Sequence, residues 1–382
     1  MTQSPIQSLH LNADGLRHIS GHPWVAAAHL ELVAGSPPDA GVYNLYGAAG
    51  ACLGAGLFDL RDPLAAWRRF SFAADAVLNE SYLVQTIHEA LGRRGQASCQ
   101  RLISSDADYL PGLIVEQYDQ LLTVTAENAL MEAQLPIIAE ILQEACTPQE
   151  IVYRNEVQVR EAFGLERTIR THSGNNLKAR WVEMDGVAFR LDLLQVEKPR
   201  LYLDQCEQYV LLGSLIEGRC VLDAFAHAGG FALHAARNGA EHVVALDLSE
   251  TCVKAIGANA QRNECPIETL ACDAMAFLAQ RVPGDFDCVI LDPPADWACD
   301  DSMLLQLYER ALHCLSSGGI LAVYCRSSEL TATHFEALVA QAAGLAGREG
   351  RIFARTGQPF DFPSLLSLPE SSALKGLILQ VE

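Results

Sequence analysis

From about residue 181 the chain alternates short apolar runs with helix-spaced segments, and acids recur where the apolar runs end. CVLDAF (220–225) precedes GGFALHAARNG (229–239), and HVVALDLS (242–249) precedes SETCVKAIGANAQRN (249–263). IETLACDA (267–274) precedes MAFLAQRV (275–282). FDCVILDPP (286–294) precedes SMLLQLYERALHCLSSGG (302–319), a predicted helix ending in glycines, and ILAVYC (320–325) closes the series as a strand. Strands separated by helices pair in parallel and are covered on both faces, so this part is predicted to be a doubly wound α/β sheet. Such sheets bind ligands outside the C-terminal ends of their strands.

Those ends carry a consistent chemistry. Asp223 sits in the first strand, Asp247 ends the second 24 residues later, Asp273 follows the third, and Asp292 ends the fourth. Gly229 and Gly230 let a ligand approach the first strand–helix turn. Asp247 stands where an acid accepts hydrogen bonds from two ribose hydroxyls. One such Asp is more commonly a helix cap or turn former. Three at successive ends of one sheet, Asp223, Asp247 and Asp292, point instead to a ligand site. G-x-G-x-x-G and the P-loop G-K-[ST] are absent. Clustered acids would repel a pyrophosphate. They suit a nucleoside that carries positive charge, and S-adenosylmethionine, with its sulfonium and ammonium, fits that field.

The preceding residues read differently. Residues 1–73 hold short apolar runs such as GVYNLYG and ACLGAGLFDL, with turn signals between them, and are expected to form a small all-β module. Residues 74–180 mix strands with helices and are expected to form an α+β domain; Asn79 and Ser81 are its candidate helix caps. Residues 181–382 complete the chain as the α/β domain. The chain opens without a basic start or long apolar block, so no secretory signal is expected. No run of apolar residues is long enough for a membrane span. Twelve cysteines occur without a C-x-x-C pair, which predicts reduced thiols in a cytoplasm and no metal site. The balance of 27 basic and 47 acidic residues gives a net charge of −20, which argues against nucleic-acid binding by a broad basic surface. A local Arg patch brought together by folding remains open.

The motifs resemble those of a known family, the large-subunit ribosomal RNA cytosine-5 methyltransferases. The likeness rests on VLDAFAHAGGFALHAARNGAEHVVALDLS, FDCVILDPPA and GGILAVYC in the α/β part. It extends to GHPWV (21–25), DYLPGLIVEQYDQ (108–120), EKPRLYLDQCEQ (197–208) and GQPFDFPSLLSLPESSALKGLILQV (357–381), in the family's order. The resemblance implies a class I, Rossmann-like methyltransferase domain behind an N-terminal PUA-like β-barrel and a small central α+β domain. It implies S-adenosylmethionine as cofactor, ribosomal RNA as partner, and a homodimer as a possible assembly. Carried over, the cofactor positions are Lys198, Tyr202, Asp204, Gln205, Asp223, Phe225, Ala226, Gly229, Gly230, Phe231, Asp247, Leu248, Asp273, Ala274, Asp292 and Pro293.

The family's chemistry needs a thiolate that attacks cytosine C6, so that C5 takes the methyl group. Cys325, with Asp292 and Arg326 beside it, is the candidate catalytic set. Aligned without a gap, the family's cysteine falls on Arg326, and Cys325 falls one residue early. One step along a strand exchanges the faces of the sheet. Other departures also lie on the substrate side: Lys198-Pro199-Arg200 replaces K-T-G, Cys206 replaces the arginine of D-Q-R, and Phe362 replaces a histidine. Three readings stay open. They are a cytosine-5 enzyme using Cys325, a methyltransferase of altered substrate without a covalent intermediate, and a protein that keeps the cofactor but has lost catalysis.

Overall fold

The computed structural model describes residues 7–18, 21–32, 38–195 and 200–382. Two compact units divide the chain, Met1–Leu177 with Phe360–Ser371 and Lys178–Pro359 with Ser372–Glu382.

The first unit holds two five-stranded sheets. The N-terminal strands are β1 (Gln7–His10), β2 (Trp24–Val25), β3 (Gly41–Tyr46), β4 (Cys52–Phe58) and β5 (Trp67–Ser71), ordered β1-β3-β4-β5-β2, with one short helix, α1 (Gly15–His18). Leu9, Val25, Leu45, Phe58 and Trp67 fill the core of this part. Trp67 donates its indole N–H to the Tyr43 carbonyl at 3.0 Å, so the buried ring leaves no polar atom stranded. Helix α2 (Glu80–Gly92) begins where Asn79 accepts from the Tyr82 N–H at 3.0 Å. Ser81 lies inside the helix instead of capping it.

The second sheet contains β6 (Cys99–Ser104), β7 (Leu113–Tyr118), β8 (Leu121–Ala126), β9 (Glu150–Asn155) and β10 (Thr168–Thr171), ordered β10-β9-β8-β7-β6. Strands β8 and β9 are parallel, so helix α3 (Ala129–Cys146) makes a crossover between them. The chain returns to this unit at Phe360–Ser371. Asp361 there accepts from the Arg101 N–H at 2.6 Å, and the Arg101 guanidinium lies 4.1 Å from the centre of the Phe362 ring. The position where the family carries a histidine is thus a packing site.

The second unit opens with a hairpin, β11 (Arg180–Met184) and β12 (Val187–Leu191). Its two-residue turn, Asp185-Gly186, has φ of +51° and +79°. That is the D-G signature of a tight hairpin, which the sequence reading passed over. Next come helix α4 (Cys206–Gly213) and the main sheet. The main strands are β13 (Cys220–Ala224), β14 (His242–Asp247), β15 (Glu268–Ala271), β16 (Phe286–Leu291), β17 (Leu315–Arg326), β18 (Gly350–Gly357) and β19 (Leu374–Val381). Their order is β15-β14-β13-β16-β17-β19-β18, and neighbours are parallel except along β19. The helices are α5 (Gly230–Arg237), α6 (Glu250–Arg262), α7 (Ala274–Leu278), α8 (Asp301–Cys314) and α9 (Ala332–Leu345).

Two expectations change here. Helix α8 stops at Cys314, and Leu315 already belongs to β17, so the glycines lie within the strand. Gly318 has φ of +78°, and the pairing with β16 shifts between Phe286 and Cys288, which marks a bulge. The sheet is also not wholly parallel, because β19 runs antiparallel between β17 and β18.

Alternate residues of β17 face opposite layers. Leu321, Val323 and Cys325 join the apolar core shared with Leu304 and Tyr308 of α8 and with Phe335 of α9. Tyr324 points the other way and stacks on Phe231 of α5, with ring centres 5.0 Å apart. This parity decides which strand-end side chains reach the ligand side of the sheet.

Candidate active site

The β13–α5 turn is bent by three closely spaced residues with unusual backbones. Phe225 and His227 have φ of +67° and +52°, and Gly229 has φ of +82°. The Ala226 N–H donates to the Leu246 carbonyl at 3.0 Å, and the Gly229 N–H to the Ala226 carbonyl at 2.7 Å. The Phe225 ring meets Trp297 edge-on at 5.2 Å. Gly230 is required by packing, since a Cβ there would fall within 2.7 Å of Tyr209 ring atoms. Gly230→Ala is therefore expected to weaken folding by about 2 kcal/mol despite alanine's better helix propensity, measured by chemical denaturation.

Asp223 lies beneath this turn, 1% exposed. One carboxylate oxygen accepts from the Ala232 N–H at 3.0 Å, while Oδ1 is buried with no partner among the described residues. Burial pushes its pKa up to about 8, helped by the nearby Asp292 and Asp247 and opposed by the Ala232 bond. Once ionised, a buried carboxyl with an open oxygen fits an ammonium ligand. Asp247 accepts from the N–H groups of His227 at 3.0 Å and Ser249 at 2.8 Å, which orients it at the end of β14. Leu248, next in the chain, is 75% exposed.

A second cluster centres on Arg326. Its guanidinium bonds Asp292 at 2.8 Å and Asp204 at 2.9 Å, with Nη2 buried and unpartnered among the described residues. Burial alone would pull its pKa down, but Asp292 and Asp204 hold it above the usual arginine value. Gln205 donates to the other Asp292 oxygen at 3.1 Å. The Arg326 guanidinium also lies 4.2 Å from the centre of the Tyr202 ring, whose own centre is 4.3 Å from that of His227. Arg326, Tyr202 and His227 thus pack in contact at the strand ends, with the Tyr202 and His227 ring planes tilted by 31°. Burial, with Arg326 and Arg200 nearby, pushes His227 down to about 4, so the imidazole is neutral at pH 7. His227 is not among the candidate residues drawn from the sequence. Its place in AFAHAGG, between the first acid and the glycine pair, was the available signal.

The structure brings together Tyr202, Asp204, Gln205, Asp292 and Arg326 by direct contacts, and holds Asp223, Phe225, Ala226, Gly229, Gly230, Phe231 and Asp247 around one turn. Pro293 is buried directly after Asp292. Asp273 caps α7, accepting from the Ala276 N–H at 2.7 Å, and Ala274 packs in the core. Lys198 lies outside the described residues. Cys325 does not join the cluster: it is 2% exposed, in the core on the α8 and α9 face.

A family described as "Conserved hypothetical protein 95" matches residues 204–349. Ribosomal RNA large subunit methyltransferase I of Photobacterium profundum is 30% identical, over 94% of this chain and 96% of that protein. Its namesake from Aeromonas salmonicida is 29% identical, over 94% and 95%. A solved structure described as "a putative SAM-dependent methyltransferase" from Streptococcus mutans superposes with a TM-score of 0.82 at 16% identity, covering 98% of this chain and all of the other (100%). That likeness speaks to the fold. The 30% identity along almost the whole of both chains places this chain in the ribosomal RNA large subunit methyltransferase I family.

Proposed function

We propose that this protein is an S-adenosylmethionine-dependent methyltransferase acting on large-subunit ribosomal RNA. The single observation that carries the cofactor reading is Asp223, a buried carboxylate with one open oxygen under a glycine-bent strand–helix turn. In this reading Asp223 holds the ammonium of the cofactor and Asp247 its ribose hydroxyls. The turn from Phe225 to Gly230 bounds the site, and Asp292 and Tyr202 line its reactive end. When bound, the cofactor supplies a methyl group activated by its sulfonium. Membership of the family supports ribosomal RNA as the acceptor. The five-stranded N-terminal sheet is compatible with reading residues 1–73 as a PUA-like module, with 74–180 and 181–382 as the further domains.

For the chemistry at the acceptor we favour transfer without a covalent thiol intermediate. The observation behind this choice is the parity of β17, where Cys325 enters the core and Arg326 takes the ligand side. Cys325 is 2% exposed and packs among the α8 and α9 side chains, with Lys375 near enough to feel its charge. A nucleophile has to reach the acceptor base, and this thiol lies on the other face of the strand from Arg326. Nothing in the geometry requires that catalysis be lost.

The test has two stages. Calorimetry with S-adenosylmethionine comes first, and absence of binding would remove the proposal. Transfer of a labelled methyl group to large-subunit ribosomal RNA comes second, with wild type and Cys325→Ala. The variant is expected to retain at least half of the wild-type rate. A loss of a hundredfold or more, with the fold intact, would restore the thiol mechanism.

A further inference from the structure

Arg68, Arg69, Arg154 and Arg160 are the buried arginines among the described residues. Arg68 pairs with Asp106, Arg154 with Glu156, and Arg160 with Glu132. Arg69, 5% exposed, has no carboxylate partner among the described residues. Its Nη2 donates to the Gly21 carbonyl at 3.1 Å, and its Nε is buried with no partner. The guanidinium lies 4.1 Å from the centre of the Phe72 ring, within cation–π range. Phe72 is 64% exposed, and Tyr109 meets it edge-on at 6.3 Å.

The ring is held in place. The Tyr82 hydroxyl lies 2.7 Å from the Phe70 carbonyl and 3.0 Å from that of Tyr109, tying the backbone on both sides of the aromatic pair. The Ala73 N–H donates to Ser71 Oγ at 3.1 Å and sets the bend after β5. Gly54 of β4, with φ of +123°, lets the Ser71 carbonyl come closer than a Cβ would permit. One exposed phenylalanine is ordinary on a protein surface. An exposed ring fixed at its backbone and backed by a buried, acid-free guanidinium is a built arrangement.

We propose that Phe72, backed by Arg69 and flanked by Tyr109, is a stacking platform for an unpaired base of single-stranded RNA. The inference rests on the reading that the substrate is RNA. Charge argues for this occupant. A net charge of −20 weighs against RNA binding through a broad basic surface, which gives contacts other than phosphate neutralisation a larger share of the affinity. Stacking on an aromatic face does this for any base, and a cation at the ring adds to it.

The test uses the full chain and a fluorescein-labelled single-stranded fragment of large-subunit ribosomal RNA, followed by anisotropy. Phe72→Ala is expected to raise the Kd about tenfold or more, the worth of one stacked base. Phe72→Trp restores binding, and Phe72→Leu, apolar without a π face, does not. The same fragment annealed to its complement is insensitive to all three changes. Affinity for S-adenosylmethionine stays at the wild-type value, and circular dichroism shows all three variants folded at the assay temperature. If Phe72→Ala binds the single strand like wild type, the platform falls while the RNA reading stands. If Phe72→Leu restores binding, the site is an apolar contact and the proposal is overturned. If wild type neither binds nor methylates RNA, the functional reading falls, and the platform with it.

Discussion

Arg326→Ala is expected to lower folding stability by about 3 kcal/mol at neutral pH, because it leaves two carboxylates facing each other without their shared cation. Asp204 and Asp292 bond the same guanidinium at 2.9 and 2.8 Å, and all three side chains are at most 20% exposed. Removing one member of such a group costs more than the net worth of the pair, since the survivors stay desolvated. The sign with pH follows. Burial already raises Asp292 above the usual carboxylate range, with Arg326 opposing that rise. Without Arg326 the carboxylate takes up a proton at a still higher pH. The deficit of the variant is therefore largest at neutral pH and shrinks as pH falls and the carboxylates protonate. Urea denaturation of wild type and variant at several pH values measures it. Arg326→Lys is expected to recover only part, because an ammonium cannot serve two carboxylates with a planar fork. Equal stability of Arg326→Ala and wild type at neutral pH would show that the ion pairs are solvated in solution.

Much of this site was legible in the residues, and the limits have physical causes. The alternation of strands and helices yielded β13 to β17 because helix and strand periodicities differ, and parallel pairing leaves few topologies. The antiparallel β19 was missed: nothing local in ALKGLILQV says that it inserts between β17 and the edge strand β18. Asp223, Asp247 and Asp292 were assigned to strand ends from the pattern, and the structure has them in β13, at the end of β14 and directly after β16. Asp273 looked the same in sequence, yet its carboxylate caps α7. The Cys325 and Arg326 register is where sequence reasoning went furthest. It identified a one-residue offset, and the structure translated that offset into opposite faces of the sheet. The pairing of Arg326 with Asp204 was not legible, because the two residues are 122 positions apart and meet only through the fold.

Asp223→Asn is expected to stabilise the protein and weaken cofactor binding together. The wild-type carboxyl has its pKa pushed from 3.8 up to about 8 by burial. An unfolded chain releases that proton more readily, so Asp223 contributes no penalty below pH 3.8 and a growing one between 3.8 and about 8. At pH 7 the penalty is about 4 kcal/mol, at about 1.36 kcal/mol per unit. An amide keeps the shape and can still accept from the Ala232 N–H, but it does not ionise. The variant should match wild type in urea unfolding at about pH 3 and exceed it progressively toward about pH 8. Binding runs the other way. An ammonium prefers the ionised carboxylate, so wild-type affinity for S-adenosylmethionine rises with pH up to about 8, with a proton released on binding. In the variant that pH dependence disappears, and affinity at about pH 8 falls by roughly tenfold to a hundredfold, the worth of one charge-assisted hydrogen bond. Calorimetry in buffers of different ionisation enthalpy reads both the affinity and the proton. If the variant binds as tightly as wild type at that pH, Asp223 is a structural group of the turn, and the ammonium is held elsewhere. If stability and affinity move in opposite directions, the cost of keeping this carboxylate buried is tied to its use, which is what a ligand site requires and a structural core does not.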